Sequence, residues 1–127
     1  MLSLNNVSVA YHHTQAVKDV SFELGAGQIG CLLGPSGCGK TSLLRAVAGF
    51  EPISGGKIIL REQCVSAQYL HMLPEKRRVA VVFQDYALFP HLTVAQNIAF
   101  GLQQLSKEKQ RHRVAELLRL VGLAEYD

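Results

Sequence analysis

Leu2, Leu4, Val7 and Val9 alternate imperfectly around Asn5-Asn6, the pattern of a strand with a bulge or of two short strands, ending at Tyr11. His12, His13 and Thr14 read as a loop. Val20, Phe22 and Leu24 then alternate with Asp19, Ser21 and Glu23, which predicts a half-buried strand closed by Gly25-Ala26-Gly27. Ile29, Cys31, Leu32 and Leu33 form a short apolar strand. Leu43, Leu44 and Val47 fall at helical spacing, so a helix is expected from about Lys40 to Ala48, stopped by Gly49. Pro52 and Gly55-Gly56 mark a turn before a strand over residues 57–60. Residues 61–73 have no clear period and read as a loop with room for one short helical turn, ending at Pro74. The run 79–83 is uninterrupted, apolar and β-branched, which suits a strand buried on both faces of a parallel sheet. Thr93-Val94-Ala95-Gln96 is a capping box, predicting a helix from Val94 to about Phe100. Val114, Leu117, Leu118 and Val121 lie at i, i+3, i+4 and i+7 on a second helix, with Ser106 in the N-cap position and Gly122-Leu123 as a Schellman stop.

Composition bounds this picture without changing it. A chain of 127 residues has the length of one modest domain, large enough for a core. With 48% hydrophobic and 18% charged residues, it has the balance of a globular protein rather than a disordered one. The net charge of +3 is spread over residues 75–78 and 107–113 instead of one block, so no nucleic-acid partner is expected. Cys31, Cys38 and Cys64 are odd in number and form no C-x-x-C, which suggests neither a disulfide framework nor a zinc site and fits the cytosol. The start has no charged segment followed by an apolar one, and no apolar stretch approaches a membrane span, so any membrane contact is expected to be peripheral.

The chemistry concentrates at residues 34–42, GPSGCGKTS, which satisfy G-x-x-x-x-G-K-[ST] between the predicted strand at 29–33 and the predicted helix. The backbone of Gly34, Pro35, Ser36, Gly37, Cys38 and Gly39 must wrap closely around a polyphosphate and turn its N–H groups inward, which side chains at the three glycines would obstruct. Lys40 supplies a mobile cation for the β and γ phosphates and Thr41 a hydroxyl for Mg²⁺. The helix N-terminus adds N–H donors and the positive end of its dipole. Elsewhere the residues are less specific. Tyr11 is either a surface aromatic at a strand end or a flat partner for a nucleotide base. His12 and His13, adjacent on an extended chain, point to opposite faces and read as solvated. Gln84 and Asp85 end the 79–83 run, but a Mg²⁺-organising Asp should follow such a run directly and be joined by a second carboxylate. Gln84 takes its place and Tyr86 follows.

Taken together, Tyr11, GPSGCGKTS and the run VVFQDYALFPHLTVAQNIAFGL resemble the first half of an ATP-binding subunit of an ABC transporter, with bacterial importers of the ferric-iron type the nearest likeness. The resemblance spans nearly the whole chain. It implies an α/β fold, a P-loop NTPase with a RecA-like core, an N-terminal antiparallel β subdomain over 1–27, a P-loop to Q-loop core over 28–92 and the beginning of the helical subdomain over 93–127. Tyr11 is similar to the aromatic that stacks on adenine, with Val17 beside it. Thr41 would be the Mg²⁺ ligand and Ser42 would contact the α phosphate. Gln84 falls at the glutamine that senses Mg²⁺ and the γ phosphate. Tyr86, Ala87, Leu88, Phe89, Pro90, His91 and Leu92 would line the groove that receives a coupling helix from the membrane subunit. ATP and Mg²⁺ are the implied cofactors. A second ATP-binding subunit in a homodimer, permease subunits and, indirectly, a substrate-binding protein are the implied partners, at the cytoplasmic face of the inner membrane.

Nothing in the chain resembles the L-S-G-G-Q signature, the Asp-Glu pair of the Walker B strand or the switch histidine, all of which lie further on in the family. The chain is therefore expected to be truncated, a binding half-site with little hydrolysis of its own. Among rivals, a P-loop kinase or GTPase lacks support because no N-K-x-D segment is present. A non-catalytic nucleotide-binding module or a soluble ABC ATPase of DNA repair or translation stays open.

Overall fold

The computed structural model describes residues 1–125, which fall into two compact units, Met1–Val81 and the segment from Val82 onward. The first unit is a five-stranded antiparallel sheet in the order β2-β1-β3-β4-β5, with one helix packed on it. Its strands are β1 (Leu2–Tyr11), β2 (Thr14–Leu24), β3 (Gly55–Leu60), β4 (Gln63–Ala67) and β5 (Leu70–His71). Its helices are α1 (Lys40–Ala48) and the single turn α2 (Pro74–Arg77).

The Asn5-Asn6 irregularity is a bulge within one strand. The ladder to β2 shifts register between Leu4 and Val7 and again between Val7 and Val9, with Asn6 at φ 50°. In a regular strand residues three apart face opposite sides. The extra residue returns Val7 to the face of Leu4, and both are almost fully buried. Ser21 Oγ accepts the Asn6 N–H at 2.8 Å and Ser8 Oγ the Asp19 N–H at 3.0 Å, so serines supply the partners that the ladder loses here. Leu4, Val7, Val9, Val17, Ile58 and Val65 from the sheet meet Leu43, Ala46 and Val47 from α1 in one core. This seats the helix, and the loop that feeds it, against β1 and β2.

Three expectations need correction. Residues 29–33 run without a ladder. Ile29 and Leu33 are 98% and 88% exposed, while Leu32 alone of the run packs against the core. The 79–83 run likewise forms no strand, and Val82 is 94% exposed. A strand needs a ladder to a neighbouring strand, and among the described residues neither run joins the sheet. Residues 61–73 are not a loop. They hold β4 and β5, with β3 and β4 joined by a two-residue turn at Arg61-Glu62, both left-handed at φ 48° and 70°. Such hairpin turns are usually announced by Asn-Gly or Asp-Gly, and here that signal is missing. Pro74 starts α2 instead of ending a loop, since at the first helical position its missing N–H is no loss.

In the second unit α3 (Val94–Phe100) and α4 (Lys107–Leu120) pack together, with Val114 and Leu118 of α4 buried. Thr93 Oγ1 accepts the Gln96 N–H at 3.2 Å and Gln96 Oε1 the Thr93 N–H at 2.8 Å, the capping box as expected. At the end of α4 the Gly122 N–H reaches Arg119 O at 3.1 Å and the Leu123 N–H reaches Leu118 O at 2.8 Å, the paired bonds of a Schellman stop. Ser106 occupies the N-cap position of α4 but makes no side-chain capping bond.

Candidate functional site

The loop over 34–42 ends on α1, and its geometry follows from Gly39. This residue caps the helix at φ 91°, and a Cβ there would sit 2.2 Å from Ala16 O and 2.9 Å from Val17 Cγ2. Only glycine lets the loop close onto β2 at this point. Hydrogen bonding in α1 begins with the Leu43 N–H to Gly39 O at 2.9 Å, so the N–H groups of Lys40, Thr41 and Ser42 have no helical partner one turn back. The first turn carries no acidic residue and no side-chain cap, which leaves the positive end of the helix dipole uncompensated by the chain itself.

Lys40 arcs back over the loop. Its Nζ donates to Gly34 O at 2.8 Å and Pro35 O at 2.7 Å, with Cys38 Sγ at 3.4 Å. None of these partners is a carboxylate. Thr41 is exposed and Ser42 half-buried on the first turn. A cavity of about 160 Å³ lies beside the loop, walled by Val17, Val20, Leu33, Cys38, Gly39 and Lys40, and so brings Val17 to the loop. Tyr11 stands at the turn of the same hairpin, paired with Thr14 and 36% exposed, while Val9 pairs with Val17. The hairpin joins Tyr11 to Val17, and Val17 alone of the two touches the loop cavity.

Gln84 belongs to the second unit, exposed at the start of a turn in which the Tyr86 N–H meets Phe83 O at 3.2 Å and both Tyr86 and Ala87 are left-handed. Tyr86 and Leu88 are 80% and 68% exposed, and Pro90, His91 and Leu92 continue the segment. Asn97 on α3 fastens it. Its Nδ2 donates to Phe89 O, Leu92 O and Thr93 O at 3.2, 3.1 and 3.0 Å, and its Oδ1 accepts the Phe89 N–H at 2.9 Å. Phe89 also packs on Phe100 with ring centroids 4.4 Å apart. The stretch from Phe89 to Thr93 is thus held to α3, while Tyr86 and Leu88 stand exposed before it. Asn97 is a residue that sequence reasoning passes over, because its acceptors are backbone carbonyls.

Arg77 is a second such residue. It is 3% exposed, and its guanidinium ties the C-terminal end of α1 to β4 and to the segment before α2. Nη1 donates to Ala46 O and Val47 O at 2.8 and 3.1 Å, Nη2 to Val65 O and Ser66 Oγ at 3.2 and 2.7 Å, and Nε to Met72 O at 2.7 Å, with His71 Nδ1 3.4 Å from Nη2. A cation at a helix C-terminus is favoured by the dipole. Among the described residues it has no carboxylate partner, and burial lowers its pKa from the ordinary arginine value. It remains charged at any physiological pH. Gly49 makes room for it: a Cβ there would lie 2.5 Å from Arg77 Nε.

Among the described residues no group of His, Cys, Asp and Glu is arranged to hold a metal, and no helix is long and apolar enough to cross a membrane. Thr41, a neutral oxygen donor on an exposed first turn, suits Mg²⁺, which takes few protein ligands and completes its shell with phosphate oxygens and water.

Residues 17–127 match the ABC transporter family. The chain is 45% identical over 127 residues to the spermidine/putrescine import ATP-binding protein PotA of Thermotoga maritima, with 98% of this chain and 33% of that protein covered. Among solved structures it is similar to the ATP-binding cassette MJ0796 in a dimeric post-hydrolysis state bound to ADP and Pi, with a TM-score of 0.79 and 27% identity, over 94% of this chain and 56% of that one. A second dimeric structure of MJ0796, described as a bacterial ABC transporter cassette, gives the same values. The chain spans about a third of the curated relative and just over half of the solved cassette.

Proposed function

This chain belongs to the ABC transporter family and has its P-loop ATPase fold with the N-terminal antiparallel β subdomain, and on that premise we propose that it binds Mg·ATP at residues 34–42 within a subunit whose ATP hydrolysis powers import. The observation that carries this reading is the loop itself: three orphan N–H groups, an acid-free helix start and the Lys40 ammonium converge on one mouth. In such sites the protein acts mainly by positioning phosphates and neutralising their charge.

Gly34, Pro35, Ser36, Gly37, Cys38 and Gly39 wrap the phosphates, Lys40 turns from the loop carbonyls to the β and γ oxygens, and Ser42 meets the α phosphate. Thr41 would hold Mg²⁺, which would supply charge neutralisation at the phosphates when bound; Gln84, on the second unit, is proposed as the glutamine that senses Mg²⁺ and the γ phosphate on the sequence resemblance alone. Tyr11 stacks on adenine with Val17 packed beside it. The segment Tyr86, Ala87, Leu88, Phe89, Pro90, His91 and Leu92 receives the permease, and a second ATP-binding subunit faces this one, as in the dimeric MJ0796. The subunit then sits peripherally at the cytoplasmic face of the membrane. The relative is named for spermidine and putrescine import, while ferric iron rests on the sequence resemblance alone. In this reading the cargo is selected by the binding protein and the permease.

Calorimetric titration of Mg·ATP into the protein and its Lys40→Ala variant tests the site. Lys40 is the only side-chain cation in the loop. A charge-assisted contact to phosphate contributes roughly 1.5 to 3 kcal/mol, so affinity is expected to fall at least about tenfold. Equal affinities would remove the assignment.

A further inference from the structure

We propose that the basic pocket formed by β3, β4 and α2 is a second anion site, separate from the loop at 34–42, that takes a phosphate-class oxyanion. The pocket encloses about 250 Å³ and is walled by Arg61, Lys76, Arg77 and Arg78, with Gln63 as its uncharged polar group and Leu60, Val65 and Met72 as its apolar floor. Four of these residues are cationic and none is acidic. Glu62 and Glu75, the nearest carboxylates in sequence, do not line it.

Gathering four positive charges around one pocket is unfavourable unless an anion joins them, and low-dielectric walls focus their field into the space between. The buried member sharpens the point. Arg77 has its donors committed to Met72, Ala46, Val47, Val65 and Ser66, all of them neutral acceptors. It therefore contributes a fixed positive potential without offering a bond of its own. The bonding groups are the exposed ones. Arg61 gives one nitrogen to Arg78 O at 2.7 Å and keeps the rest of its fork, while Lys76 and Arg78 stand exposed beside it. That contact ties the turn of the β3–β4 hairpin to the residue that follows α2, so the two guanidinium-bearing segments are held together before any ligand arrives. Both Arg61 and Arg78 are in left-handed backbone conformations, at φ 48° and 52°, which residues with side chains seldom adopt. Arginine forks with one ammonium match a multiply charged tetrahedral oxyanion better than a single carboxylate, because each fork can take two oxygens. The phosphate could be carried by a free anion or by a lipid headgroup.

The test uses the Lys40→Ala protein, in which the loop site is disabled, titrated with sodium diphosphate at low ionic strength. Saturable binding is expected, and the exposed pair Lys76→Gln/Arg78→Gln should weaken it at least about tenfold. A control pair exposed on α4, Lys109→Gln/Arg111→Gln, lowers net charge equally and should leave affinity unchanged. Unchanged thermal melts of both pairs confirm that folding is not the cause. Absence of saturable binding, or the same loss in both pairs, overturns the proposal. Sedimentation with phosphatidylglycerol vesicles separates the sources. Diphosphate binding without vesicle capture assigns a free anion, and capture that is abolished by the Lys76/Arg78 pair assigns a headgroup.

Discussion

Arg77 and Lys40 are both cations held by carbonyl oxygens, yet only one of them was legible in the sequence. Lys40 is fixed by its place in G-x-x-x-x-G-K-[ST], a pattern whose spacing carries its own chemistry. Arg77 is one of three basic residues in the run Lys76-Arg77-Arg78. Its partners come from residues 46, 47, 65, 66 and 72, which only the fold brings together. Its removal should be severe. Arg77→Met leaves several buried acceptors unpaired, each at about 1 to 3 kcal/mol, so a loss of at least about 3 kcal/mol in urea unfolding is expected. A loss below about 1 kcal/mol would show that the contacts contribute little. Cys38 offers a probe at the same scale. Cys31 and Cys38 are exposed whereas Cys64 is half-buried, so alkylation should reach the first two sooner. Mg·ATP should then protect Cys38, which lies on the loop. Mass-spectrometric mapping that finds protection at Cys64 instead would contradict the proposed seat of the phosphates.

At the scale of elements, α1, α3 and α4 were readable and the pairing of strands was not, because the two close their hydrogen bonds differently. A helix closes its own hydrogen bonds and declares its ends locally. Thr93 with Gln96 and Gly122 with Leu123 therefore marked α3 and α4 correctly. A strand closes its bonds on another segment. The apolar runs at 29–33 and 79–83 have the composition of buried strands, but composition cannot supply a neighbour. β4 and β5 were missed in the opposite way, because the left-handed Arg61-Glu62 turn has none of the usual turn residues. The capping box gives a test. Thr93→Ala removes the acceptor for the Gln96 N–H and should destabilise α3 by about 1 kcal/mol. Hydrogen exchange should show faster exchange at Gln96, with the amides of β1 unchanged. Unaltered protection at Gln96 would mean that packing, not the cap, holds the start of α3.

At the scale of the whole molecule, the proposed loop site lies in a unit whose helix is well packed and whose apolar run before the loop is not. Leu32 anchors that run to the core, but Ile29 and Leu33 face solvent almost completely, and next to them an apolar pocket of about 400 Å³ opens among Phe22, Leu24, Cys31, Leu32, Leu44 and Val47. Surfaces of this kind favour association, either edge to edge through the unpaired backbone of residues 29–33 or face to face through the pocket. We predict that the 127-residue chain on its own associates as its concentration rises. We also predict that it hydrolyses ATP no faster than its Lys40→Ala variant, because the sequence offers no Asp-Glu pair and no signature segment to complete the site. Binding and turnover thereby become separable. The loop groups proposed to hold phosphate should give weak, Mg²⁺-dependent ATP affinity, whereas turnover needs groups that position the attacking water, which the loop does not supply. Size-exclusion chromatography over a concentration series, paired with a phosphate-release assay, examines both halves of this expectation. A concentration-independent monomer with sustained, Mg²⁺-dependent turnover that Lys40→Ala abolishes would show that these 127 residues suffice for ATP hydrolysis.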